Sequence, residues 1–107
     1  MLNINIKTTG VELTAEISNY LNKKIEPLNK FVKESDNEAH AQIEIGKETN
    51  HHKAGKIFFT EINFRINGKD FRARANGDSL MSSMDDAKDI ALKLAREDKD
   101  KKKKKIK

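Results

Sequence analysis

The sequence predicts an α+β domain of two layers, with two helices covering one face of a mostly antiparallel four-stranded sheet. Three observations predict it. Apolar and polar residues alternate in several short stretches, apolar residues recur at helical spacing in two longer ones, and the order reads strand, helix, three strands, helix. A chain of 107 residues suits one hydrophobic core.

The first strand is carried by Leu2, Ile4 and Ile6, which alternate with Asn3, Asn5 and Lys7 until Gly10 breaks the chain. Leu13, Ile17, Leu21, Ile25, Leu28 and Val32 then recur at helical spacing, with Thr14 placed to cap the helix and Glu16 suiting its positive end. Pro27 lacks a backbone donor, so the regular helix should kink or end near Glu26, with the apolar stripe continuing to a stop before Ser35. Ala41, Ile43 and Ile45 mark the second strand. Residues 46–56 read as a polar loop. Phe58, Ile62, Phe64 and Ile66 share one face of a long third strand, opposite Glu61, Asn63 and Arg65. Asn67-Gly68 is a two-residue hairpin signal, since both positions tolerate positive φ. Phe71, Ala73 and Ala75 face inward from the return strand, and Arg72 and Arg74 face outward. Asn76-Gly77-Asp78 closes that strand and is placed to cap a second helix, whose stripe is Leu80, Met84, Ala87, Ala91 and Leu94, flanked by Ile90.

Charge is distributed unevenly. The net charge is +5, but Lys99 to Lys107 holds seven Lys and one Asp, or +6, so residues 1–98 carry −1. Two regions follow: an α+β domain over 1–98 and a Lys-rich tail over 99–107. So dense a block of like charge is expected to be disordered or loosely helical. It reads either as a solubilising tail or as an arm that touches nucleic acid.

Several chemistries are excluded or unsupported. The absence of cysteine removes disulfides, thiolate zinc sites and a Cys nucleophile, and fits a reducing cytoplasm. No apolar run approaches the roughly 18 residues of a membrane span, and the N-terminus lacks a signal-peptide stretch. His40 and the adjacent His51 and His52 form no spaced ligand triad, so no metal is expected. There is no nucleophile elbow or phosphate loop, and helical neighbours such as Asp85 and Asp86 do not face each other. The expectation is a protein that is not an enzyme, with no catalytic residue, cofactor or small-molecule substrate.

Basic residues supply the candidate interface. Lys23 and Lys30 lie seven positions apart, two helical turns, which places them on one face of a regular helix. Lys24 lies nearer the apolar stripe and can snorkel outward. These residues are equally those of an ordinary solvated face. Arg65, Arg72 and Arg74 can fork onto phosphates or pair across strands with Glu61 and Glu44. Lys88, Lys93 and Arg96 on the last helix are diluted by acids.

The residues resemble a known family. Leu2-Asn3-Ile4-Asn5-Ile6, the Glu12-Leu13-Thr14 entry, Tyr20-Leu21-Asn22-Lys23-Lys24-Ile25, Leu28-Asn29-Lys30-Phe31, His52, Gly68 before Phe71-Arg72-Ala73-Arg74-Ala75, and the stretch Asp78 to Asp85 are similar to those of ribosome hibernation-promoting factors, also called ribosome-associated inhibitor A proteins. The resemblance covers residues 2 to about 99. It implies a β-α-β-β-β-α fold shaped like double-stranded RNA-binding domains. It also implies binding to the small ribosomal subunit and its rRNA, in the channel over the decoding region, where occupancy blocks messenger and transfer RNA. No second domain follows, so the chain resembles the short class, expected to be a monomer off the ribosome.

Carried over to this sequence, the implied contacts are Lys24, Lys30, Arg72, Arg74, Lys93, Arg96 and Lys99. Lys23 joins them from the helix face, and Lys101 and Lys102 from the tail. The chain departs from the family at Pro27 and Ile90, where members usually place Lys, and at Leu80-Met81-Ser82-Ser83, which lacks the usual Tyr. The Lys101 to Lys105 run offsets those losses. Two rival readings use the same residues. One is a general structured-RNA-binding module. The other is a structural or regulatory domain that binds protein through its sheet.

Overall fold

Strands β1 (Asn3–Thr9), β2 (His40–Lys47), β3 (Phe58–Ile66) and β4 (Lys69–Gly77) form one sheet in the order β1-β2-β3-β4. This computed structural model describes residues 1–48 and 57–105, with side chains through Lys101, so the His51–His52 pair lies outside the described residues. Strand β1 runs parallel to β2, while the β2–β3 and β3–β4 pairs are antiparallel. Parallel neighbours need a crossover, which helix α1 (Ala15–Ile25) and a short 3-10 segment (Glu26–Phe31) provide. Helix α2 (Leu80–Lys105) packs chiefly on β3 and β4. The arrangement is the α+β two-layer sandwich that the alternating stretches predict.

Thr14 caps α1: it is extended, and its Oγ1 accepts from the Ile17 N–H at 3.1 Å. The α-helical ladder runs out at Glu26, whose N–H still bonds Asn22 O, because Pro27 has no N–H to extend it. The chain tightens into the 3-10 segment and leaves it at Val32, which is extended at φ −86°, ψ 123°. The helical path therefore ends at Phe31, short of the expected stop before Ser35. Leu28 stays buried and Val32 still packs on the core, since the tightened turn preserves their inward direction. Leu13 is 40% exposed, because it precedes the cap and lies outside the stripe.

The hairpin turn has Asn67 at φ 53° and Gly68 at φ 80°, the positive pair that a two-residue turn requires. Asn67 also anchors the turn. Its Oδ1 accepts from Lys33 N at 3.0 Å, its Nδ2 donates to Phe31 O at 2.8 Å, and its own N–H donates to Asp36 Oδ2 at 2.6 Å. That last bond holds the Asp36 carboxyl below its usual range despite some desolvation. Ser79, rather than Asp78, caps α2, with its Oγ accepting from Ser82 N at 3.1 Å.

Met84, Ala87, Ala91 and Ala95 form the fully buried stripe of α2, while Leu94 is only half-buried. The three alanines let the helix approach the sheet closely. They face a floor of Ile62, Phe64, Ile66 and Ala73, with Phe64 and Phe71 stacked at 4.9 Å. Burying one side chain of Met84's size contributes about 1.5–3 kcal/mol. A polar pair also sits inside: Thr60 and Ser83 are both fully buried, with their hydroxyls 2.8 Å apart. Ser83 Oγ donates to Leu80 O, so Thr60 is the donor in that pair. On the outer face, Phe59 is only 5% exposed. It lies opposite Gly46 in register, with the Arg74 guanidinium 4.5 Å from its ring centre. A Cβ on Gly46 would meet Thr9 O at 2.4 Å and the Phe59 ring at 2.9 Å, so only glycine fits there.

Candidate nucleic-acid interface

The basic residues fall on two opposite faces. Lys23, Lys24 and Lys30 belong to the helical layer, as do Lys93, Arg96, Lys99 and Lys101 on α2. Arg72 and Arg74 lie on the far side of the sheet, because β4 turns Phe71, Ala73 and Ala75 inward to the helices.

In the helical layer, Lys24 is structurally engaged. Its Nζ lies 3.3 Å from Asp85 Oδ1 and 5.2 Å from the centre of the Tyr20 ring. The Tyr20 hydroxyl donates to the same carboxylate oxygen at 2.8 Å. The bond to Asp85, with burial and its negative charge behind it, pushes the Tyr20 hydroxyl up. The bond to Asp85 raises Lys24 as well. The trio ties α1 to α2 and gives Asp85 a structural task. Lys23 and Lys30 are both exposed. The 3-10 segment moves Lys30 from the position that a regular helix would give it. The intervening residues from Glu26 onward advance by about 120° each instead of about 100°, which swings Lys30 round by roughly 80°. Lys30 instead lies 5.4 Å from the centre of the Phe31 ring.

On α2, Lys93, Arg96, Lys99 and Lys101 are exposed, and no carboxylate partner is found for them among the described residues. Lys88, by contrast, pairs with Asp89 at 2.6 Å. Lys102 belongs to the helical backbone, and its side chain lies outside those described. The helix runs on through Lys105, and cations suit its negative C-terminal end. At about 1.5 Å per residue, its 26 residues span roughly 39 Å, while the nine-residue strands span about 30 Å.

The arginines of the outer sheet face are paired. Arg72 donates to Glu61 Oε1 at 2.9 Å, and Arg74 donates to the same oxygen at 3.1 Å and to Glu48. Burial would push the Glu61 carboxyl up, but hydrogen bonds from Arg72, Asn63 and Arg74 outweigh it and hold the group below its usual range. Arg65 pairs with Asp70 at 2.9 Å across the hairpin, and Glu44 accepts from Thr9 Oγ1 instead of from an arginine. Cross-strand pairing thus accounts for all three arginines, with Glu61 as the shared acceptor of Arg72 and Arg74. Arg72 remains 68% exposed and keeps donors for a further anion.

Where the 3-10 segment meets the end of α2, the structure brings Lys30 and Lys99 to one cleft. Their separation in sequence hid this juxtaposition. Two other features also lacked a local signal: the Tyr20–Asp85 bond and the Phe59–Arg74 stack, both made between distant segments. Among the described residues no group of three or more His, Asp or Glu is arranged to hold a metal ion, and no helix is long and apolar enough to cross a membrane.

The fold has solved counterparts. The N-terminal domain of Protein Y from Thermus thermophilus superposes with a TM-score of 0.72 at 24% identity, covering 89% of this chain and 97% of that one. A ribosomal subunit interface protein from Coxiella burnetii superposes with a TM-score of 0.69 at 16% identity, covering 92% of this chain and 98% of that one. At these identities the likeness concerns the fold. A search of curated proteins found no match. The sequence profile described as Sigma 54 modulation protein / S30EA ribosomal protein matches residues 4–103, nearly the whole length, and the chain belongs to that family, the family of the ribosome hibernation factors.

Proposed function

We propose that this protein silences translation by lodging in the channel of the small ribosomal subunit at the decoding region, where messenger and transfer RNA would pass. Family membership supports ribosome association, and so a cytoplasmic setting. The Coxiella burnetii counterpart is itself called a ribosomal subunit interface protein. The observation that carries the finer reading is the placement of cations on both faces of a thin two-layer body. A domain that lies on one RNA surface needs one basic face, whereas a plug enclosed by RNA meets phosphate on several sides. The exposed cations Lys93, Arg96, Lys99 and Lys101, which have no carboxylate partner among the described residues, are the principal grip, with Lys23 and Lys30 beside them and Arg72 and Arg74 opposite. Phosphate contacts position a protein without reading sequence, so shape selects the channel. The mechanism is exclusion, and no chemical step is involved.

Co-sedimentation with purified small subunits across a salt series tests the proposal. Pelleting at low salt that weakens steeply as salt rises is expected, together with loss of messenger RNA binding by the same subunits. Protein that stays in the supernatant at low salt overturns it. Equal affinity for arbitrary duplex RNA would instead favour a general RNA-binding module.

A further inference from the structure

The end of the 3-10 segment, the β3–β4 turn and the C-terminal half of α2 enclose a cleft of about 250 Å³ that opens to solvent. Its floor is apolar, with half-buried Phe31 and Val32 above buried Ile66 and Ala95. Its rim carries Lys30 and Lys33 on one side and Lys99 on the other. One carboxylate, Asp98, also reaches it, with its Oδ1 2.7 Å from Lys69 Nζ, so a cation already opposes its charge. Among the described residues, no carboxylate pairs with Lys30, Lys33 or Lys99. An apolar floor inside a ring of ammonium groups suits a flat, weakly polar ring joined to an anion. A bare phosphate would leave the floor unused, and an uncharged ring would leave the lysines unused.

We infer that this cleft holds one nucleoside monophosphate unit, its base against Phe31 and Val32 and its phosphate among Lys30, Lys33 and Lys99. The volume lies just below the usual range of small-molecule pockets, about 300–1,000 Å³, which matches a single base better than a larger ligand. Asn67 stiffens the wall. Its Oδ1 accepts from Lys33 N and its Nδ2 donates to Phe31 O, which fixes the orientation of the amide. The apolar floor therefore separates nucleotides from plain phosphates, and packing against it discriminates weakly among bases. Apolar packing of an unpaired base combined with backbone cations is the general chemistry of single-stranded RNA capture. The inference rests on the ribosome-binding reading above and deepens it, by placing an extruded nucleotide within the interface. The same chemistry would accept a free nucleotide.

The test is an amide-resolved NMR titration of the full chain with AMP, with ribose 5-phosphate, and with an adenylate RNA about four nucleotides long. AMP is expected to shift the signals of Phe31, Val32, Asn67 and Ala95 and to bind about tenfold more tightly than ribose 5-phosphate, a ratio within reach of one base contact. The double variant Lys30→Gln, Lys99→Gln, both at exposed positions, should keep the native spectrum and lose about tenfold in AMP affinity. Short RNA that binds at least about tenfold more tightly than AMP assigns the site to RNA, and equal binding assigns it to free nucleotides. Shifts confined to residues 101–107, ribose 5-phosphate that matches AMP, or no binding overturns the cleft. Small-subunit co-sedimentation of the same preparation keeps the two proposals apart. Protein that pellets but ignores AMP removes the cleft alone, and protein that binds AMP but never pellets removes the ribosomal reading alone.

Discussion

Asn67 shows how much one residue of this chain does. It supplies a positive φ that a residue with a larger aliphatic side chain would resist, and its amide joins the hairpin tip to the exit of the 3-10 segment. The two contributions separate by mutation. Asn67→Gly keeps the backbone and loses the side-chain bonds, for an expected cost of about 1–2 kcal/mol. Asn67→Ala adds the left-handed penalty, a further loss of about 1–2 kcal/mol. Urea unfolding measures both, and equal costs would refute the conformational part. Glu61 is a second such residue, with its carboxyl held below the usual range by Arg72, Asn63 and Arg74. A depressed carboxyl stabilises the fold fully above its unfolded value near 4.5 and loses that contribution as pH falls through the folded value. Asp36, depressed by the Asn67 N–H, acts in the same direction. Unfolding free energy should therefore fall from neutral pH to about pH 3, and more gently in Glu61→Gln. Identical slopes in the two proteins would show that the arginine cluster is not linked to acid stability.

At the scale of elements, the strands were legible because one face of the sheet is dry and the other wet, so alternation survives in β1, β2 and the inward half of β3. Asn67-Gly68 announced its turn because positive φ leaves a local signature. Less legible were features made by tertiary contact. Phe59 occupies an outward position of β3 yet is buried, because Gly46 leaves room beside it and Arg74 covers it. Pro27 signalled a break, but nothing local specified that the chain would tighten and continue, which is what shifted Lys30 from its regular-helix position. The cation cleft was hidden for the same reason, since its rim residues come from distant elements. The junction of α2 with β3 yields its own prediction. Ser83 Oγ gives its proton to Leu80 O and accepts that of Thr60. Ser83→Ala strands a buried donor and should cost about 1–3 kcal/mol, while Thr60→Val removes the donor itself and should cost under about 1 kcal/mol. The reverse order in thermal or urea unfolding would contradict that assignment of protons.

For the molecule as a whole, the governing fact is a nearly neutral body joined to a strongly basic end. Residues 1–98 carry −1, and the cations that act at long range are those on the helical layer with no carboxylate partner among the described residues. Sheet-face arginines compensated by Glu61, Glu48 and Asp70 add little long-range attraction. Deleting residues 101–107 removes six lysines and should make the salt dependence of small-subunit binding shallower, by about 0.7–0.9 in logarithmic slope for each phosphate that the tail had neutralised. An unchanged slope would confine the grip to the folded body. Enclosure by RNA on both faces is the central claim, and directed hydroxyl-radical probing tests it most directly. Cleavage reagents would be tethered in turn at Lys23 on the helical layer and at Arg72 on the outer sheet face of subunit-bound protein. Cuts from both positions in rRNA flanking the decoding region, on opposite walls of the channel, are the predicted result. Cuts from only one face, or cuts remote from the decoding region while the protein stays bound, would contradict it.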